Sequence, residues 1–134
     1  MIDIDTLLAA IESTAWHLRQ RDQDVDEAVI AQYLDSRDEP PFDSDWTAAD
    51  ALVQACKRGL SAESVAAIDA QSRQVRQDAF ALVLRVSEHD ELAGYLSDDA
   101  GLIVEADRLG IDSAWIAALR RRYERHAAPF GPLL

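Results

Sequence analysis

The chain has 134 residues; 49% are apolar, 25 are acidic and 13 are Lys or Arg, for a formal net charge of −12. That length and apolar share suit a packed core, so we expect a single helical domain over 1–134 rather than a disordered chain. A field of this sign repels phosphate, which argues against direct binding to nucleic acid or to an anionic membrane surface.

The lone Cys56 allows no intrachain disulfide and no cysteine-based zinc site, and it fits a reducing compartment. The acidic start Met1-Ile2-Asp3-Ile4-Asp5 lacks the basic and apolar regions of a secretory signal. No apolar run approaches the length of a membrane span, and Gly131-Pro132-Leu133-Leu134 carries no lipidation motif. A cytoplasmic location is the expectation.

Helical periodicity dominates. Ile4, Leu7, Leu8, Ile11, Ala15 and Leu18 share one face, which predicts a first helix at about 5–20 capped by Asp3 or Asp5. Asp22 to Glu27 reads as a polar turn with several candidate N-caps. Ala28, Val29, Tyr33 and Leu34 then predict a short second helix ending near Ser36. Pro40-Pro41 makes 37–43 a loop, because proline lacks an amide donor and pushes its predecessor out of the helical region.

Asp43, Ser44 or Asp45 can cap a third helix with Trp46, Ala49, Leu52, Val53 and Cys56 on its apolar stripe. Gly59 is placed to end it in the left-handed conformation. Ser61 restarts a helix, and Val65, Ile68, Ser72, Val75, Ala79, Leu82 and Val86 keep one phase. The spacing predicts one long helix at about 62–88, a bundle element rather than a coiled coil. His89-Asp90-Glu91 and Gly94 mark a break, and Ser97-Asp98-Asp99 reads as a new N-cap with an acidic first turn. Leu102, Ile103, Ala106 and Leu109 complete a short helix that Gly110 ends. Asp112 caps the last helix, and 127–134 form a non-helical tail. The expected fold is all-α: one compact bundle of about five to six helices with one long central helix.

The charge is uneven. Residues 1–50 carry −10, and residues 22–50 hold ten acids against Arg37 alone. Acids favour loops and helix starts, which accounts for some of them. An uncompensated cluster also costs self-repulsion and can steer a basic partner. Asp35, Asp38, Glu39, Asp43 and Asp45 are the candidate partner-binding acids. Tyr33 and Trp46 fall on inner stripes, so Phe42, behind two prolines, is the expected anchor.

Signs of catalysis are few. The five glycines are isolated, and neither Gly-x-Ser-x-Gly nor His-Glu-x-x-His occurs. Cys56 on an apolar face predicts an inert buried thiol. His89 with its acidic neighbours is the nearest approach to a metal site, but adjacent residues diverge on a helix, so no metal or cofactor is expected.

Arg121-Arg122-Tyr123-Glu124-Arg125-His126 resembles the Arg-x(4–6)-His signature of the HEPN family of all-α bundles, many of them ribonucleases. The resemblance covers six residues, and Arg122 departs from the polar uncharged or acidic residue usual after the arginine. It implies a metal-independent cleavage with Arg121 on the phosphate and His126 in acid–base work, in a cleft completed by a dimer partner. A basic helix end favoured by the dipole accounts for the same residues. In size, charge and helicity the chain is similar to immunity proteins and antitoxins that neutralise nucleases. The leading expectation is therefore a non-enzymatic inhibitor of a basic toxin or effector. The HEPN-like ribonuclease and a helical adaptor are the alternatives, and a homodimer is left open.

Overall fold

A computed structural model describes residues 1–24 and 28–134. Part of the expected polar turn, 25–27, lies outside the described residues. Six helices follow in order: α1 (Ile4–Asp24), α2 (Val29–Arg37), α3 (Phe42–Arg58), α4 (Ala62–Ser87), α5 (Asp90–Leu109) and α6 (Ala114–Glu124). No strand occurs among the described residues, and the all-α expectation holds. No described helix is long and apolar enough to cross a membrane.

The apolar stripes of the helices meet in one cluster that includes Ile11 and Ala15 of α1, Val53 of α3, Val75 and Val83 of α4, and Tyr123 of α6. α4 is the longest helix at 26 residues. α5 is the more enclosed, because it packs against α1, α3, α4 and α6. Leu92, Ala93, Leu96, Ala100 and Val104 of α5 are all fully buried.

Several helix ends follow the sequence. Ser61 Oγ accepts from Ser64 N at 3.1 Å and starts α4. Gly110 ends α5 with φ +67, the left-handed turn that glycine adopts without a Cβ penalty, and Ile111 N returns to Ala106 O at 2.9 Å. Asp3 organises the first turn of α1, accepting from Asp5 N at 3.2 Å and Thr6 Oγ1 at 2.7 Å. Asp22 of α1 also reaches α2, where its carboxylate accepts from Ile30 N at 3.1 Å.

Other boundaries differ. α5 begins at Asp90, with His89 as the capping side chain (Leu92 N to Nδ1, 3.2 Å). Gly94 therefore lies inside the helix, and Ser97-Asp98-Asp99 is not its start. A mid-helix glycine costs about 1 kcal/mol, which burial of Leu92, Ala93 and Leu96 outweighs. α3 starts at Phe42 behind Pro41, so Asp43 and Asp45 occupy its first turn and Asp43, Ser44 and Asp45 are not its N-cap. Gly59 ends α3 with a right-handed φ of −85, and Ser113 rather than Asp112 caps α6. Cys56 is half-buried rather than fully enclosed.

Candidate functional site

The turn from α2 into α3 carries the acidic segment, and its organisation starts inside the protein. Arg37, the last residue of α2, is 4% exposed. Its Nη1 and Nη2 donate to the two oxygens of Asp99 at 2.7 and 2.8 Å, a bidentate pair. Asp99 is fully buried in α5 and also accepts from Trp46 Nε1 at 2.9 Å and from the Tyr123 hydroxyl. Arg37 Nη1 donates further to the Tyr33 hydroxyl at 3.2 Å, which donates to Pro129 O at 2.8 Å. The guanidinium lies over the rings of Phe42 (4.6 Å) and Tyr95 (5.2 Å), within cation–π range.

This hub is electrically closed. Burial alone would lower the Arg37 pKa, but the Asp99 charge, its hydrogen bonds and the two phenols outweigh that and hold the guanidinium charged. Burial first, and then the Asp99 charge, push Tyr123 well above the usual phenol range. Burial likewise raises Tyr33.

The outer surface of the same turn is the opposite. Asp35, Asp38, Glu39 and Asp43 are exposed, and Asp45 is half-buried. None of the five forms an ion pair among the described residues. Arg37, the one base of 22–50, is turned inward and spent on Asp99. Asp38 accepts from the Tyr95 hydroxyl at 2.6 Å, which with burial pushes that phenol up to about 12.

A cleft of about 140 Å³ opens here, with Asp38, Asp43 and Asp98 at its rim and Trp46 and Tyr95 among its walls, over Arg37. The structure thus brings Asp38, Phe42 and Asp43 together at one cleft, while Asp35, Glu39 and Asp45 lie outside its lining. Partial desolvation at the cleft raises the Asp98 pKa although the residue is exposed, and the neighbouring Asp99 and Asp50 add to that against the pull of Arg76 and Arg37.

Phe42 does not serve as an exposed anchor. It is 1% exposed, with its ring 5.5 Å from that of Trp115 and the Arg37 guanidinium above it. Because α3 starts at Phe42 rather than after it, the ring faces the core instead of a loop exterior. Arg37, Trp46, Tyr95, Asp98 and Asp99 were not among the expected site residues. For Tyr95, Asp98 and Asp99 the signal is α5 itself: Asp99 falls in helical phase with Leu92, Leu96 and Ile103 once Gly94 is read as helical.

Arg121 and His126 are both exposed at the end of α6. His126 follows the helix with φ +58, and its ring stacks on that of His17 at 6.0 Å.

Comparison with known proteins gives one family. The family model described as Immunity protein PIM1 matches residues 5–130. No curated protein matches the chain. No solved structure matches it either. With nearly the whole length matched, the chain belongs to the immunity protein PIM1 family, and its role is that of an immunity protein that binds a toxin.

Proposed function

We propose that this immunity protein neutralises a basic toxin domain, such as a nuclease, by placing the acidic surface of the α2–α3 turn on the toxin's positive substrate site or its rim. The observation that carries this reading is the inward turn of Arg37. The segment's one cation is cancelled by Asp99, which leaves Asp35, Asp38, Glu39, Asp43 and Asp45 without an ion-pair partner among the described residues. A nuclease must present positive charge to hold nucleic acid, and a compact anionic surface competes for that charge.

Asp35, Asp38, Glu39, Asp43 and Asp45 steer the encounter, and Asp98 joins them at the cleft. Trp46 and Tyr95 supply the aromatic walls against which a basic side chain of the toxin packs. The protein acts without catalysis of its own, in the cytoplasm of the cell that makes the toxin.

The test is charge reversal of Asp35, Asp38, Glu39 and Asp43 to Lys. Steered association predicts a loss in on-rate on the order of tenfold to a thousandfold and loss of protection in a co-expression assay. The variant should stay folded in thermal unfolding, with the lost Tyr95 hydrogen bond to Asp38 the main cost at about 1–3 kcal/mol. A folded variant that protects as well as wild type overturns the proposal.

A further inference from the structure

A second cleft of the molecule has the opposite sign. It encloses about 700 Å³ between α1, α2 and the tail after α6. His17, Arg21, Arg122 and His126 line it, together with the Tyr33 and Phe130 walls. No carboxylate lines it among the described residues, although acids outnumber bases 25 to 13 in this chain. None of the four basic side chains forms an ion pair among the described residues.

The geometry is held in place. His17 Nδ1 lies 2.7 Å from Ser13 O, so this nitrogen carries the proton and donates, leaving Nε2 for another partner. The ring of His126 stacks on that of His17 with 23° between planes. The tail is pinned by the Tyr33 hydroxyl on Pro129 O, and Phe130 meets Tyr33 edge to face at 6.2 Å with half of its surface exposed. Two guanidinium forks and two imidazoles around one cavity form an anion receptor.

We propose that this cleft binds a phosphorylated small molecule of nucleotide type. A monocarboxylate satisfies one fork, whereas a diphosphate offers enough oxygens and charge for both. The cavity lies within the roughly 300–1,000 Å³ typical of small-molecule sites and is larger than a bare phosphate needs. Leu18, Val29 and the exposed Phe130 ring give the remainder an apolar, aromatic surface suited to a flat base. A nucleic-acid polymer is disfavoured, since the net −12 repels a long polyanion.

The experiment titrates pyrophosphate, ADP and a hexaglutamate peptide separately into the full chain. The imidazole NMR signals of His17 and His126 report on the cleft, and His89, at the α5 cap, serves as the internal reference. Pyrophosphate and ADP should shift His17 and His126 but not His89, with ADP saturating at the lower concentration. Arg21→Gln, an exposed change that spares the fold, and Arg122→Gln should each weaken both ligands about tenfold. Phe130→Ala should remove the advantage of ADP and leave pyrophosphate binding intact. No shift at millimolar ligand, or equal shifts at all three histidines, overturns the site. Hexaglutamate binding as tightly as ADP also overturns it, because the cleft would then be a docking surface for acidic protein segments. The readout needs no toxin, so its failure leaves the acidic-surface reading standing.

Discussion

Two acids of α5, Asp99 at its middle and Glu105 nearer its C-terminal end, belong to surroundings that handle negative charge in contrasting ways. Near its C-terminal end, Glu105 is buried and accepts from Lys57 Nζ, Asp69 accepts from the same nitrogen at 2.7 Å, and Arg76 approaches Glu105 at 3.5 Å. Burial would lower the Lys57 pKa, but the Asp69 and Glu105 hydrogen bonds and charges raise it instead. Two cations meet two carboxylates, and the cluster is closed. At the middle of α5, Asp99 takes the only cation of residues 22–50, and Asp38, Asp43 and Asp98 remain without an ion-pair partner among the described residues. The protein therefore has the means to pair its acids and uses them where the acids hold the fold. Where the acids are left open, the proposed toxin partner would supply the missing charge.

The largest expected effect comes from breaking the closed pair. Asp99→Ala strands the Arg37 charge inside the protein and should cost about 3–5 kcal/mol in urea unfolding, whereas Asp43→Ala should change stability by about 0.5 kcal/mol or less. Equal costs at the two positions would dissolve the contrast between them. Phe42→Ala should likewise cost about 3–5 kcal/mol through the cavity it leaves. Its association rate with the toxin, measured where the variant is folded, should match wild type, and a selective loss would return Phe42 to the role of an anchor.

Alkaline titration sharpens the picture of the hub. Tyr33, Tyr95 and Tyr123 are the chain's three tyrosines, and all have raised pKa values, with Tyr95 at about 12 against an ordinary 10.0. The unfolded chain loses these protons first, so the hydrogen-bonded phenols give their full stability below pH 10 and lose it as pH rises toward 12 and beyond. Phenolate absorbance should therefore stay low through pH 10 and then rise together with unfolding. An ordinary titration of even one tyrosine in the folded protein would contradict the network.

The smallest effect is at Asp98. Its raised pKa means that its charged form opposes folding, so the penalty grows as pH rises through its folded value. Asp98→Asn should slightly raise the melting temperature at neutral pH, with the gain vanishing in acid, while toxin binding weakens. A fall in melting temperature at neutral pH would show that Asp98 is satisfied within the chain.

Much of the helical frame was legible from local pattern. The unbroken phase from Val65 to Val86, the Ser61 cap and the helix end at Gly110 each depend on neighbours within a few residues, and each appears as expected. The start of α5 did not, because His89-Asp90-Glu91, Gly94 and Ser97-Asp98-Asp99 look like a break and a new cap when taken singly. The buried faces of Leu92 and Leu96 decide the matter through tertiary packing. The acidic stretch was visible as composition, but its electrostatic meaning depended on Arg37, whose partner lies 62 residues away. No local signal reports that an arginine at a helix end is turned inward. Phe42 was misplaced for a related reason: the proline pair read as a loop, whereas α3 begins directly behind Pro41 and the Phe42 ring is buried by packing that no local pattern reports.

The most direct test of the central claim is the salt dependence of association between this protein and its toxin, measured for wild type and for the variant with Asp35, Asp38, Glu39 and Asp43 changed to Lys. The wild-type on-rate should fall steeply as ionic strength rises, and the variant should start lower and lose that slope. Identical slopes for the two proteins would contradict the account.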